Sequence, residues 1–233
     1  MTEGLADRLA ARIPAQAGSP QPRRLAAVAV ELPDGVTPPG TRGSILRAAL
    51  GLFSEFGFHG TSVRHIAAAV GINPATLYVH YRSKEKVLAE LVLVGHQALH
   101  DRLTSALARS GATATGQLAA LVREHALIHC DYPLLAVVAN TELHALSAEI
   151  AGPALELRAR CGDLLLTVLT DGAASGEFEL SDPVLTAIAI AGHGMHIAHW
   201  FTPGDPYDRE QVADGYVQLA LRMAGARADS QDR

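Results

Sequence analysis

At 233 residues, 48% hydrophobic but only 5% aromatic, the chain is long enough for a small domain plus a larger one and favours helix packing over a β-sandwich. No apolar run reaches the length of a membrane span, and the N-terminus lacks the apolar core of a secretion signal, so a cytoplasmic protein without membrane contact is expected. The net charge of −5 argues against nucleic acid until its distribution is read: residues 41–90 hold six Lys/Arg against three acids, residues 1–40 balance, and the remainder carries −8.

Residues 1–40 read as a flexible arm, because Pro14, Pro20, Pro22, Pro33, Pro38 and Pro39 prevent regular helix and nothing here builds a core. A first helix is expected from Arg42 to Phe56, with Ile45, Ala49, Leu52, Phe53 and Phe56 on one face, ending at Gly57. Val63, Ile66, Ala67 and Val70 repeat at helical spacing, and Gly71 supplies a residue that tolerates a left-handed turn. Asn73 and Pro74 then cap and start another short helix. Two short helices about such a turn are the requirement of a helix-turn-helix whose second helix enters a DNA major groove.

Ser83 caps a long helix bearing Leu88, Leu91, Val92, Leu99, Leu103 and Leu107, which links this unit to a second one. Further helices are expected over about 117–130, 134–146, 153–174 and 183–201. Asp208 with Gln211 forms a capping-box start to a last helix, ending near Ala224 before a frayed tail at 227–233. The fold class is therefore all-α, with about nine helices: a helix-turn-helix domain at 41–88 and a larger helical domain at 89–226. Cys130 and Cys161 are too few for a disulfide framework and read as buried thiols.

The string Thr76-Leu77-Tyr78-Val79-His80-Tyr81-Arg82-Ser83-Lys84-Glu85 resembles the "TLYxHFxSKE" signature of the TetR family of transcriptional regulators. The helix Ile45 to Phe53, with Phe56-Gly57 and Gly60-Thr61-Ser62-Val63, fits the same pattern. The match covers roughly residues 41–90, about a fifth of the chain. It implies nine helices and a homodimer that binds a palindromic double-stranded DNA operator, with repression the commoner mode. It also implies release by a small hydrophobic effector, an acyl-CoA thioester among the candidates.

For DNA, Thr61 or Ser62 can present a hydroxyl and backbone N–H groups to phosphate, Arg64 points away from the apolar face, and Ala75 and Thr76 suit a thymine methyl. Pro74, Ala75 and Thr76 are small for base-reading positions. Tyr78, His80 and Lys84 match family positions that grip the backbone. For the effector, His125, His129, Asn140, His144, Leu165 and His193 offer an apolar lining with scattered polar groups. The small-residue stripe Ala187, Ala191, Gly194 and Ala198, with Val212, Tyr216, Leu219 and Met223 on the last helix, serves either internal packing or, as the resemblance implies, a four-helix dimer interface.

Two other classes compete with the effector-released regulator. The pairs His96/His100 and His125/His129 and the set His193/His196/His199 share helix faces, which would suit a metal-responsive regulator. Yet HExxH is absent and no Cys, Asp or Glu completes a ligand set, so no metal site or cofactor is assigned. An enzyme is disfavoured because no G-x-S-x-G elbow, P-loop or dinucleotide fingerprint occurs.

Overall fold

The computed structural model describes residues 29–203 and 206–226. Among these, apolar residues at helical spacing, punctuated by glycine and proline, give nine α-helices: α1 (Gly40–Gly60), α2 (Val63–Val70), α3 (Pro74–His80), α4 (Lys84–Arg109), α5 (Ala114–Asp131), α6 (Pro133–Thr141), α7 (Ala148–Ser175), α8 (Pro183–Trp200) and α9 (Arg209–Met223). A single 3-10 turn, Leu143–Ala145, follows α6, and Phe178 makes one isolated antiparallel bridge to Ala226. No helix among the described residues is long and apolar enough to cross a membrane.

The expected punctuation operates at most joints. Gly57 has φ 73° and breaks α1 internally, Gly71 ends α2 with φ 77°, and the side chains of Asn73, Ser83 and Asp182 each accept a backbone N–H at the start of α3, α4 and α8. Asp208 and Gln211 exchange both bonds of a capping box at α9. Two expectations are corrected. The helix expected over 134–146 stops at Thr141, and its remainder is the 3-10 turn. The helix expected to start at Pro153 starts instead at Ala148, where Ser147 N–H donates to Glu85 Oε1 at 3.0 Å. Pro153 sits inside the helix at an exposed position, and Glu149, whose carbonyl loses its i+4 donor there, is exposed as well.

Two large apolar cores follow, with a smaller third cluster around Ala126, Ile197, Phe201 and Ala213 where α5 meets α8 and α9. The first gathers Ile45, Leu46, Leu50 and Phe53 of α1, Ile66 of α2, Leu77 of α3 and Leu88 and Leu91 of α4, together with Leu134 and Val138 of α6. Leu32 is buried in it as well, so the final part of the stretch read as an arm is packed chain; residues 1–28 lie outside the described residues. The second core surrounds α5, whose Leu118, Leu121 and Val122 meet Leu103 of α4, Leu169 of α7, Ile190 of α8 and Ala220 of α9. The expected domain boundary at 88/89 falls inside α4, which runs unbroken from one core into the other.

Gly172 marks where α7 meets the turn behind it. A Cβ there would stand 2.2 Å from the Phe178 ring and 2.9 Å from Ala114 Cβ. Gly172→Ala should therefore destabilise the fold by about 1–3 kcal/mol through overpacking, measurable as a lowered urea midpoint at unchanged slope.

Candidate functional site

The first three helices and the start of α4 form a head whose outer side is α3. On it Ala75, Thr76, Tyr78 and Val79 are exposed, while Leu77 is buried against the head core. Val79 is 83% exposed, the largest value among the exposed large apolar residues, and its methyl groups have the chemistry that suits a thymine methyl. It was missed because an apolar residue inside a helical run reads as core. Arg64 on α2 is exposed, His80 is half-buried, and Pro74 is half-buried at the first position of α3. Ser62 caps α2: His65 N–H donates to its Oγ at 3.1 Å, and Ser62 N–H donates to His65 Nδ1 at 3.3 Å.

Thr61 and Lys84 turn inward. Thr61 is buried, and its hydroxyl lies 2.9 Å from the Gly57 carbonyl and 3.2 Å from that of Leu52, so of the two hydroxyls Ser62 is the one left at the surface. Lys84 Nζ donates to the carbonyls of Phe58 at 2.5 Å and Thr61 at 2.6 Å and sits 4.0 Å from the centre of the Phe58 ring. The ammonium pins the end of α1 to the start of α4, and partial burial lowers its pKa. Arg42 is likewise engaged, with Glu90 at 2.6 Å, and the Tyr81 ring lies beneath it.

Behind the head, α4 to α8 enclose a cavity of about 220 Å³ that reaches the surface at exposed Arg158 and Gly162 on α7. His125, His129, Asn140 and Leu165 line it. His144 does not: it stands exposed on the 3-10 turn. His193 lies instead on a separate hollow of about 50 Å³ between α8 and α9, its Nδ1 3.2 Å from the Ala189 carbonyl oxygen. The sequence reading missed His96, Tyr132, Arg158 and Met195 in the lining. His96 was visible on the apolar face of α4, but nothing local ties it to histidines a helix away. The Arg158 guanidinium contacts Met195 Sδ at 3.9 Å.

The three cavity histidines are held neutral. Burial, then the neighbouring His129, pushes His125 well below the ordinary value. Burial takes His129 down to about 4 against the opposing bond to the His125 carbonyl, with His96 and His199 adding to the fall. His96 is also lowered, first by burial, with the Val92 carbonyl opposing and Arg158 contributing. Among the described residues no group of three or more His, Cys, Asp or Glu is placed to hold a metal, and the metal-responsive alternative finds no support.

The stripe on α8 also faces inward. Gly194 and Ala198 are buried and Ala187 and Ala191 half-buried, because α8 crosses α5 closely: a Cβ at Gly194 would stand 2.1 Å from His125 Nδ1. Val212 is buried in the protomer, Tyr216 half-buried, and Leu219 and Met223 exposed. Val184, Leu185 and Ile188, in the first two turns of α8, are exposed, the last two at 63% and 64%.

A helix-turn-helix head with an exposed recognition helix, joined by one continuous helix to a domain holding an apolar cavity, defines a ligand-responsive DNA-binding regulator. The chain belongs to the TetR family of transcriptional regulators. A family described as "Bacterial regulatory proteins, tetR family" matches residues 45–91, and "Tetracyclin repressor-like, C-terminal domain" matches residues 111–224. The chain is similar to the HTH-type transcriptional repressor KstR2 of Rhodococcus jostii, 29% identical over 78% of this chain and 90% of that protein. It is 27% identical to the fatty acid metabolism regulator protein of Bacillus subtilis, over 76% and 92% of the two chains. The crystal structure of the TetR family regulator PfmR of Thermus thermophilus superposes with a TM-score of 0.70 at 31% identity, covering 76% of this chain and 97% of that one. The chain is thus a DNA-binding, homodimeric regulator of transcription and not an enzyme.

Two measurements check this geometry. Lys84→Met should cost about 1–3 kcal/mol of stability, because two carbonyls lose a charged donor; calorimetry on purified protein reads it. For the histidines, the unfolded chain takes up protons near pH 6.5 while folded His129 stays neutral to about pH 4. Stability is therefore full above pH 6.5 and falls with pH below it, by about 1.4 kcal/mol per unit for each such ring. His129→Gln should reduce the slope of unfolding free energy between pH 6 and pH 4.5 by roughly one proton, measured by urea titrations.

Proposed function

We propose that the chain is a homodimeric repressor released from a palindromic operator by a small apolar effector bound in the α4–α8 cavity. The carrying observation is the position of α6. Its Leu135, Ala136, Ala139 and Asn140 face the cavity, while its Leu134 and Val138 are buried in the head core. A ligand that wedges the cavity displaces a helix on which the head rests. α4 acts in parallel, since it begins at Lys84 in the head and lines the cavity with Gly95, His96, Leu99 and Leu103. The effector binds more tightly to the conformation whose head spacing no longer fits successive major grooves, and operator affinity falls by that difference. Unchanged head spacing between liganded and free dimers would overturn this route.

In this reading Ser62, Arg64, Ala75, Thr76, Tyr78 and Val79 meet DNA, with His80 beside the backbone. Thr61 and Lys84 hold the head together and contribute their backbone and helix start rather than their side-chain tips. Residues 41–88 and 89–226 act as reader and sensor. The dimer forms through Val184, Leu185 and Ile188 of α8 with Leu219 and Met223 of α9, a face that in the protomer leaves five large apolar side chains uncovered. An acyl thioester suits the cavity: its chain would lie among Leu99, Leu103, Leu121 and Leu135 while an anionic head stays outside near Arg158. The name of the Bacillus relative supports a fatty acyl class, and that of KstR2 supports repression.

Fluorescence anisotropy on the DNA upstream of the gene, with acyl-CoA thioesters, free fatty acids and aromatic compounds titrated in, tests both halves. Tight binding released by the acyl thioesters is the expected outcome, and tight binding that none of them releases removes the effector assignment. Ile188→Glu should sediment as a monomer and lose operator binding, whereas a dimer that persists would place the interface elsewhere.

A further inference from the structure

The cavity histidines come from two helices, His96 from α4 and His125 and His129 from α5. The bonds that hold two of these rings also fix what they offer a ligand. His96 Nδ1 lies 2.8 Å from the Val92 carbonyl oxygen, and His129 Nδ1 lies 2.7 Å from that of His125. A carbonyl only accepts, so each Nδ1 must carry the ring proton. In the neutral ring, Nε2 is then a bare lone pair. The two side chains are only 7% and 5% exposed, and Nδ1 makes the hydrogen bond of each ring among the described residues. Asn140 offers both kinds of group: its Nδ2 donates one N–H to the Ala136 carbonyl at 2.8 Å, which leaves the second N–H as a donor and Oδ1 as an acceptor. His96 and His129 therefore each bring to this pocket an acceptor that no hydrogen bond among the described residues uses.

We propose that the part of the effector inside the cavity is an apolar body bearing a hydroxyl, which donates to Nε2 of His96 or His129 and selects hydroxylated ligands over acceptor-only ones. This rests on the cavity being the effector site. A ketone, ether or plain chain would set lone pairs or hydrocarbon against buried acceptors and leave them unsatisfied, which costs more than the bond itself gains. A hydroxyl meets the acceptors and can also take the one N–H that neutral His125 retains. For an acyl effector, the chain itself would carry the hydroxyl.

Isothermal titration calorimetry on the full chain with two isomers, octan-1-ol and heptyl methyl ether, tests it. The alcohol should bind at least about tenfold tighter, the worth of one hydrogen bond to an otherwise unsatisfied acceptor. His96→Phe with His129→Phe should bring the two within about twofold. Equal or tighter binding of the ether, or no detectable binding of the alcohol, overturns the proposal, and that comparison on the unmodified protein stands whether or not the variant folds. A preference unchanged in a folded double variant overturns the assignment to these nitrogens. Anisotropy on the upstream DNA separates the two readings: an alcohol preference without DNA release supports the donor selectivity while removing the cavity's effector role.

Discussion

One helix has to satisfy two cores at once. α4 buries Val87, Leu88 and Leu91 among the head helices, and about three turns further on it buries Leu103 against α5 and α7. Between them lie Gly95 and His96, where the helix wall thins and the cavity begins; the Gly95 position is within 3.4 Å of Leu135 for any Cβ placed there. Because the helix is unbroken over 26 residues, roughly 39 Å, neither core can shift along it without the other responding. The rest of the molecule is arranged about that rod, with α6 bridging its middle and α5 filling the space behind.

Joints were far more legible than faces. Glycine, proline and capping side chains act through local backbone geometry, so Gly57, Gly71, Asn73, Ser83 and Asp208 could be read directly. The head was legible too, because its apolar positions alternate clearly with polar ones. α8 was different: Pro183–Trp200 is apolar nearly all round, so periodicity carries no phase and leaves internal packing and a partner chain equally open, whereas the fold shows Gly194 as the point where α8 approaches α5. The cavity was legible only in part. Helix-borne His125 and His129 announce each other by spacing, but their neighbour His96 and the mouth residue Arg158 arrive from other helices through tertiary packing. Pro153 and Lys84 show the same limit, since an exposed proline in the second turn of a helix and a lysine tip folded back on carbonyls depend on surroundings the chain does not encode locally.

The cavity combines hydrocarbon walls with histidines that burial keeps uncharged. Such rings are costly to protonate and cheap to solvate with a single neutral partner, which favours a ligand lacking charge at its buried end. Charge is instead left at the rim, on exposed Arg158, whose guanidinium lies against the Met195 thioether. A graded site of this kind sorts ligands by which end is polar.

The inward turn of Lys84 alters how the head must feel its ionic surroundings. Of the six cations between residues 41 and 90, Lys84 is spent on two carbonyls and Arg42 on Glu90, which leaves Arg47, Arg64, Arg82 and Lys86. Each phosphate such a residue neutralises releases close to one condensed counterion from the duplex. Four apiece on two heads release about seven, so these residues make affinity fall as roughly the seventh power of salt concentration, whereas six apiece would give nearly the eleventh. The head has exchanged part of its grip on any DNA for rigidity, and a larger share of its binding must come from how well α3 fits one groove.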